Sequence, residues 1–152
     1  LKMLLRPGGR IFVEFRNKLF SLFTLNRYSK EFILDDLLAT VSADIKNHVA
    51  EELDRRLATN LPPVRQHDDP ERPSYDQILA KFHNPFELEE VMTRHGFKTL
   101  DFHWYHYHAA PPILADKIGP SFRAESIRLE HEAGWRGMFL CSAGIIEAEL
   151  LD

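Results

Sequence analysis

Residues 3 to 17 read Met-Leu-Leu-Arg-Pro-Gly-Gly-Arg-Ile-Phe-Val-Glu-Phe-Arg-Asn, an order that leaves few folds open. The apolar start has the character of a helix's last turn. Pro7-Gly8-Gly9 stops it, because proline cannot continue a helix and glycine tolerates the reversal. Ile11 to Phe15 then begin a strand at once. Ile11, Val13 and Phe15 point one way, Phe12 and Glu14 the other, and both sets are largely apolar. That pattern predicts a parallel strand covered on both faces. A helix end, a turn and a buried strand are the middle of an α/β unit, so this reading expects the chain to begin partway through a larger fold.

A chain of 152 residues is one domain's worth, and the expectation is a single partial domain over 1–152. The net charge of −4 and a pI near 6.1 argue against a general nucleic-acid surface, which needs a basic excess. No apolar run approaches the roughly 20 residues that cross a bilayer, so no membrane partner is expected. The single Cys141 has no partner for an internal disulfide, which fits a reducing, cytoplasmic setting.

Beyond the first strand, Leu19, Phe20, Leu22, Phe23 and Leu25 form a short apolar helix or packed loop. A helical pattern follows from Ser29, a candidate N-cap with Glu31 in the first turn, to about Leu61. Leu37, Val41, Ile45, Val49, Leu53, Leu57 and Leu61 recur every four residues. Each such step drifts about 40° around a helix, so six steps wind the stripe by about 240°. One straight helix cannot hold that stripe on one partner, and two helices are expected, the second capped by Ser42. Four prolines make 61–74 a loop, and Ser74 caps a short helix from Tyr75 to Phe82. Asn84, with Pro85 at the first helical position, starts a helix that Gly96 stops. Phe97–His108 is an aromatic-rich strand, Ser121–Ala133 a helix, and Met138–Ala148 a closing strand.

These segments resemble the class I S-adenosylmethionine-dependent methyltransferases. The run from Leu4 to Phe15 is similar to the helix, turn and strand around that family's fifth strand. Asn84-Pro85 to Gly96-Phe97 resembles its last large helix, and 97–108 with 138–148 its closing antiparallel pair. The resemblance implies an α/β, partial Rossmann-like fold. Its mixed sheet would have three strands, the first two parallel and the last antiparallel between them, and residues 18–73 would be a helical insert or lid. It further implies the substrate-side, C-terminal portion of such an enzyme, acting on a small-molecule acceptor. The family's glycine-rich cofactor loop follows a strand, whereas Gly8-Gly9 precedes one. S-adenosylmethionine is therefore expected in the complete protein and not tightly on this chain alone.

Ligands of open α/β sheets bind beyond the carboxyl ends of the parallel strands. That rule selects Glu14, Arg16 and Asn17, then Tyr105, His106, Tyr107 and His108, then Trp135 and Arg136, expected to converge on one cleft. His106, His108 and Glu14 are the candidate acid–base groups. Arg16 and Arg136 would hold an anionic group. Asn17, Tyr105, Tyr107 and Trp135 would shape the acceptor pocket, aromatic faces also suiting a cation.

Each of these has a packing alternative. Glu14 and Arg16 can be a structural pair, Trp104 a core residue, the histidines packing groups, and Asn26-Arg27-Tyr28 a capping turn rather than a substrate contact. His103, His106 and His108 invite a metal reading, but strand alternation sets His103 opposite the other two, so none is expected. The competing function is a non-catalytic, methyltransferase-like module that binds a partner or forms a homo-oligomer through the exposed edge of the first strand. A different α/β enzyme is disfavoured, because no nucleophile or phosphate-loop motif is present.

Overall fold

Backbone pairing decides where each segment goes. The structure, a computed structural model, describes residues 2–61, 81–132 and 134–151. A 3-10 turn, Lys2–Leu4, is stopped at Pro7-Gly8, and β1 runs Arg10–Asn17. A second 3-10 turn, Lys18–Phe20, leads into α1, Ser21–Thr24. Next come α2, Arg27–Glu31, a π-helical turn, Phe32–Leu37, and α3, Ala43–Arg56. β2 is the pair Phe82–His83, followed by α4, Pro85–Arg94, and β3, Phe97–Tyr107. After a 3-10 turn at Pro112–Leu114 come α5, Ala115–Ile118, α6, Pro120–Leu129, α7, Gly137–Leu140, and β4, Cys141–Leu150.

The described strands form one mixed sheet in the order β2-β1-β4-β3. β4 lies antiparallel to both β1 and β3, so those two point the same way with the last strand between them. The fold is α/β, as expected. The sheet has four described strands rather than three: Phe82, expected to end a helix, and His83 pair parallel with Arg16 and Asn17. Residues 62–74 of the expected loop and 75–80 of the expected helix lie outside the described residues.

One face of the sheet is covered and the other is open. Along β1, Ile11, Val13, Phe15 and Asn17 turn inward while Arg10, Phe12, Glu14 and Arg16 are exposed. This corrects the expectation of a strand buried on both faces; Phe12, counted there as core, is 62% exposed. On the covered face, Phe97, Ala148 and Leu150 form the core with Leu5, Ile11 and Met92 of α4. Farther along, Trp104 stacks on Phe102, and Phe15 meets both rings edge-on. Two glycines admit that indole. A Cβ on Gly144 would lie 3.0 Å from both Phe15 and Trp104, and one on Gly137 would lie 2.4 Å from Trp104.

Local signals fix several boundaries. The Asn84 side chain accepts from Phe86 N–H, Pro85 opens α4, and Gly96 ends it at φ 81°. Ser42 occupies the N-cap position of α3, so the expected break in the long stripe is present. α2 starts at Asn26 instead of Ser29, because the Asn26 side chain accepts from Tyr28 N–H. Ser29 is buried, its hydroxyl donating to the Ser21 carbonyl. β4 starts three residues later than expected. The chain first turns through α7, whose Gly137 backs onto Trp104.

Candidate functional site

The carboxyl ends of β1, β2 and β3 lie at the end of the sheet where β4 begins. The expected site residues are all near that end, but they divide among three environments instead of sharing one cleft.

The first environment is the open face. Tyr105 donates its hydroxyl to the Glu14 carboxylate, and its ring meets the His106 imidazole edge-on at 4.9 Å. Burial first, and the Glu14 carboxylate second, push the Tyr105 hydroxyl up to about 12; the Arg16 guanidinium opposes that shift. Tyr105 therefore stays protonated near neutral pH and acts as a donor. Glu14, Arg16, Tyr105 and His106 thus form one group. His106 is exposed and sits at φ 55°, a left-handed backbone that side chains seldom adopt and that recurs at functional sites.

Interior packing is the second environment. Asn17 is fully buried. Its amide nitrogen donates to the carbonyls of Met138 and Cys141, and its oxygen accepts from Leu19 N–H. The side chain thereby joins the end of β1 to the start of β4, which leaves it no donor for an acceptor molecule. His108 lies between the rings of Phe20, at 4.6 Å, and Phe122, at 5.9 Å. Burial, reinforced by His106, pushes its imidazole below its usual 6.5. A neutral ring in an apolar slot is the packing alternative for this residue.

Third is the outer edge of β3. Trp104, Tyr107 and Trp135 line a cavity of about 560 Å³ there, with Asp101, Glu130 and Glu132. The Tyr107 hydroxyl donates to the Glu132 carbonyl, and burial pushes it up to about 12. Arg136 stacks on the Trp135 ring at 5.4 Å.

Two features were missed in the sequence. Glu147 in β4 is buried and accepts from Arg10 of β1 at 2.9 Å, and its other oxygen bonds the His103 ring of β3 at 2.8 Å. A carboxylate inside the run Ile145-Ile146-Glu147-Ala148 was the signal, since a buried charge needs partners. The other feature is a cavity of about 200 Å³ at the carboxyl ends of the parallel pair β1–β2, lined by Lys18, Tyr28, Phe32, Asp36 and Phe82. The π-helical turn, where Leu38 N–H reaches Ile33, forms one wall, and such turns recur at functional sites. Lys18 pairs with Asp36 at 2.5 Å and lies 6.0 Å from the Phe32 ring.

Among the described residues no group of three or more histidine, cysteine or acidic side chains is arranged to hold a metal ion. Among them, too, no helix is long and apolar enough to cross a membrane. Comparison with family models, curated proteins and solved structures finds no match for this chain.

Proposed function

We propose that this chain is the substrate-side portion of a class I methyltransferase fold, acting on a small-molecule acceptor. The observation that carries the reading is the strand order. A last strand inserted antiparallel between two codirectional strands, β1-β4-β3, is the arrangement the resemblance implies. The edge of β1 adds support. β2 pairs only with Arg16 and Asn17, so Arg10–Phe15 have no strand on that side among the described residues. A further parallel strand fits there.

The residues of this chain do not fit S-adenosylmethionine. A cofactor loop needs glycine after a parallel strand. Gly8 and Gly9 precede β1, Gly96 precedes β3, Gly119, Gly134 and Gly137 lie in the helical stretch before β4, and Gly144 lies within it. In this reading the cofactor is held by a segment outside residues 1–152. This chain supplies acceptor positioning and proton handling. Glu14, fixed by the Tyr105 hydroxyl and solvent-accessible, takes the acceptor's proton, and Arg16 beside it orients the acceptor.

Methyl transfer from radiolabelled S-adenosylmethionine to a panel of small hydroxyl and amine acceptors tests this on the complete polypeptide. Transfer is expected. Glu14→Gln should lower kcat by about a hundredfold, the usual scale for losing a general base, and leave cofactor affinity unchanged. An unaltered kcat removes Glu14 from the chemistry, and transfer to no acceptor overturns the enzyme reading.

The bare edge of β1 favours a second reading, a non-catalytic module that self-associates by strand pairing. Light scattering separates the two: a stable dimer of the complete polypeptide without cofactor binding supports the second.

A further inference from the structure

We propose that the cavity along the outer edge of β3 is a binding site for a small organic cation, an alkyl- or methyl-substituted ammonium. This does not depend on methyl transfer. The cavity's volume, about 560 Å³, lies within the range of small-ligand sites. Its lining combines the indoles of Trp104 and Trp135 and the phenol of Tyr107 with the carboxylates of Asp101, Glu130 and Glu132; its basic side chains are His103 and His131, and it includes no lysine or arginine among the described residues.

The parts of the wall differ in how they are held. Trp104 is fixed between Gly137 and Gly144 and stacked on Phe102. Tyr107 pins the Glu132 backbone against the end of β3. Trp135 is 66% exposed, and its ring already carries a cation, the Arg136 guanidinium. Of the carboxylates, Glu132 is held by Arg128. Asp101 accepts only from its neighbour's Phe102 N–H among the described residues, and Glu130 has no ion pair among them. Two acids without counter-cations among the described residues, beside aromatic surface, suit a ligand that brings positive charge and apolar bulk together. A substituted ammonium is such a group: it is weakly hydrated, so it loses little on leaving water, and it gains from both ring faces and carboxylates. An anion would meet the like charge of Asp101 and Glu130, and a neutral alkyl group would leave the carboxylates unused.

Both tryptophans of the chain line this cavity, so intrinsic fluorescence reports on it directly. The chain is titrated with choline chloride and with choline's carbon isostere, in which a tert-butyl group replaces trimethylammonium, with sodium chloride matching ionic strength. A saturable change with choline is expected, with the neutral isostere at least about tenfold weaker, the size of a modest cation–π and charge contribution. Glu130→Gln combined with Asp101→Asn should weaken choline by about tenfold. Both positions are exposed, and circular dichroism checks that the variant keeps its fold. Equal responses to choline and its isostere, no saturable response to choline, or an unchanged response in the double variant would overturn the proposal.

Discussion

The two faces of the sheet are carried by the same strands yet held by different physics. The covered face is apolar contact: Ile146 is fully buried, and Trp104 sits where two glycines leave room for it. The open face is polar and spans strands. Arg10, Glu147 and His103 link β1, β4 and β3, and Glu14 with Tyr105 links β1 to β3 across β4. Groups packed in the core are costly to alter and chemically quiet, whereas Glu14 and His106 on the open face are exposed to solvent. A candidate acid–base group therefore belongs on the open side, and Glu14 is there while His108 is not.

If that contrast holds, substitutions at matched positions should separate widely. Ile146→Ala should cost about 3 kcal/mol, the scale for truncating a buried aliphatic side chain. Phe12→Ala, on the open face, should cost less than about 1 kcal/mol. Chemical denaturation of the two variants measures both, and equal losses would break the comparison.

Asn17→Ala should follow at about 2 kcal/mol, because it leaves the Met138 and Cys141 carbonyls without their donor. Its unfolding midpoint should shift without a change in denaturant dependence, as expected for a lost interior bond.

The smallest effect concerns His108. The folded protein holds its imidazole below the ordinary 6.5, so the unfolded chain binds a proton that the folded chain refuses. Stability contributed by this residue is present above pH 6.5 and declines as pH falls below that value. His108→Phe keeps a ring between Phe20 and Phe122 and should flatten that acid limb relative to the wild type, with little change at pH 8. Parallel pH profiles for the two proteins would place His108 on the open side's terms instead.

How much of this was legible depended on the range of the interactions. α4 could be read because Asn84, Pro85 and Gly96 act within a turn of their own positions. The start of α2 was misread because Asn26 and Ser29 can both cap, and only the contact from Ser29 to Ser21 decides between them. The start of β4 was misplaced because Met138 to Cys141 is an unbroken apolar run that leads straight into the strand, while the turn at α7 is set by Trp104 and Asn17 from distant strands. The single cleft was an extrapolation from strand ends. It did not survive the left-handed backbone at His106, the burial of Asn17, the packing of His108 between Phe20 and Phe122, or the separation of Trp135 onto the edge of β3. Composition gave no warning that Phe12 faces outward, since strand alternation fixes two faces without saying which is covered.

The deciding measurement is calorimetric titration with S-adenosylmethionine, run in parallel on residues 1–152 and on the longer polypeptide that the proposed function requires. Saturable heat is expected from that longer polypeptide and none from residues 1–152, whose glycines do not follow a parallel strand as a cofactor loop does. A longer polypeptide that takes up no S-adenosylmethionine would contradict the proposed function.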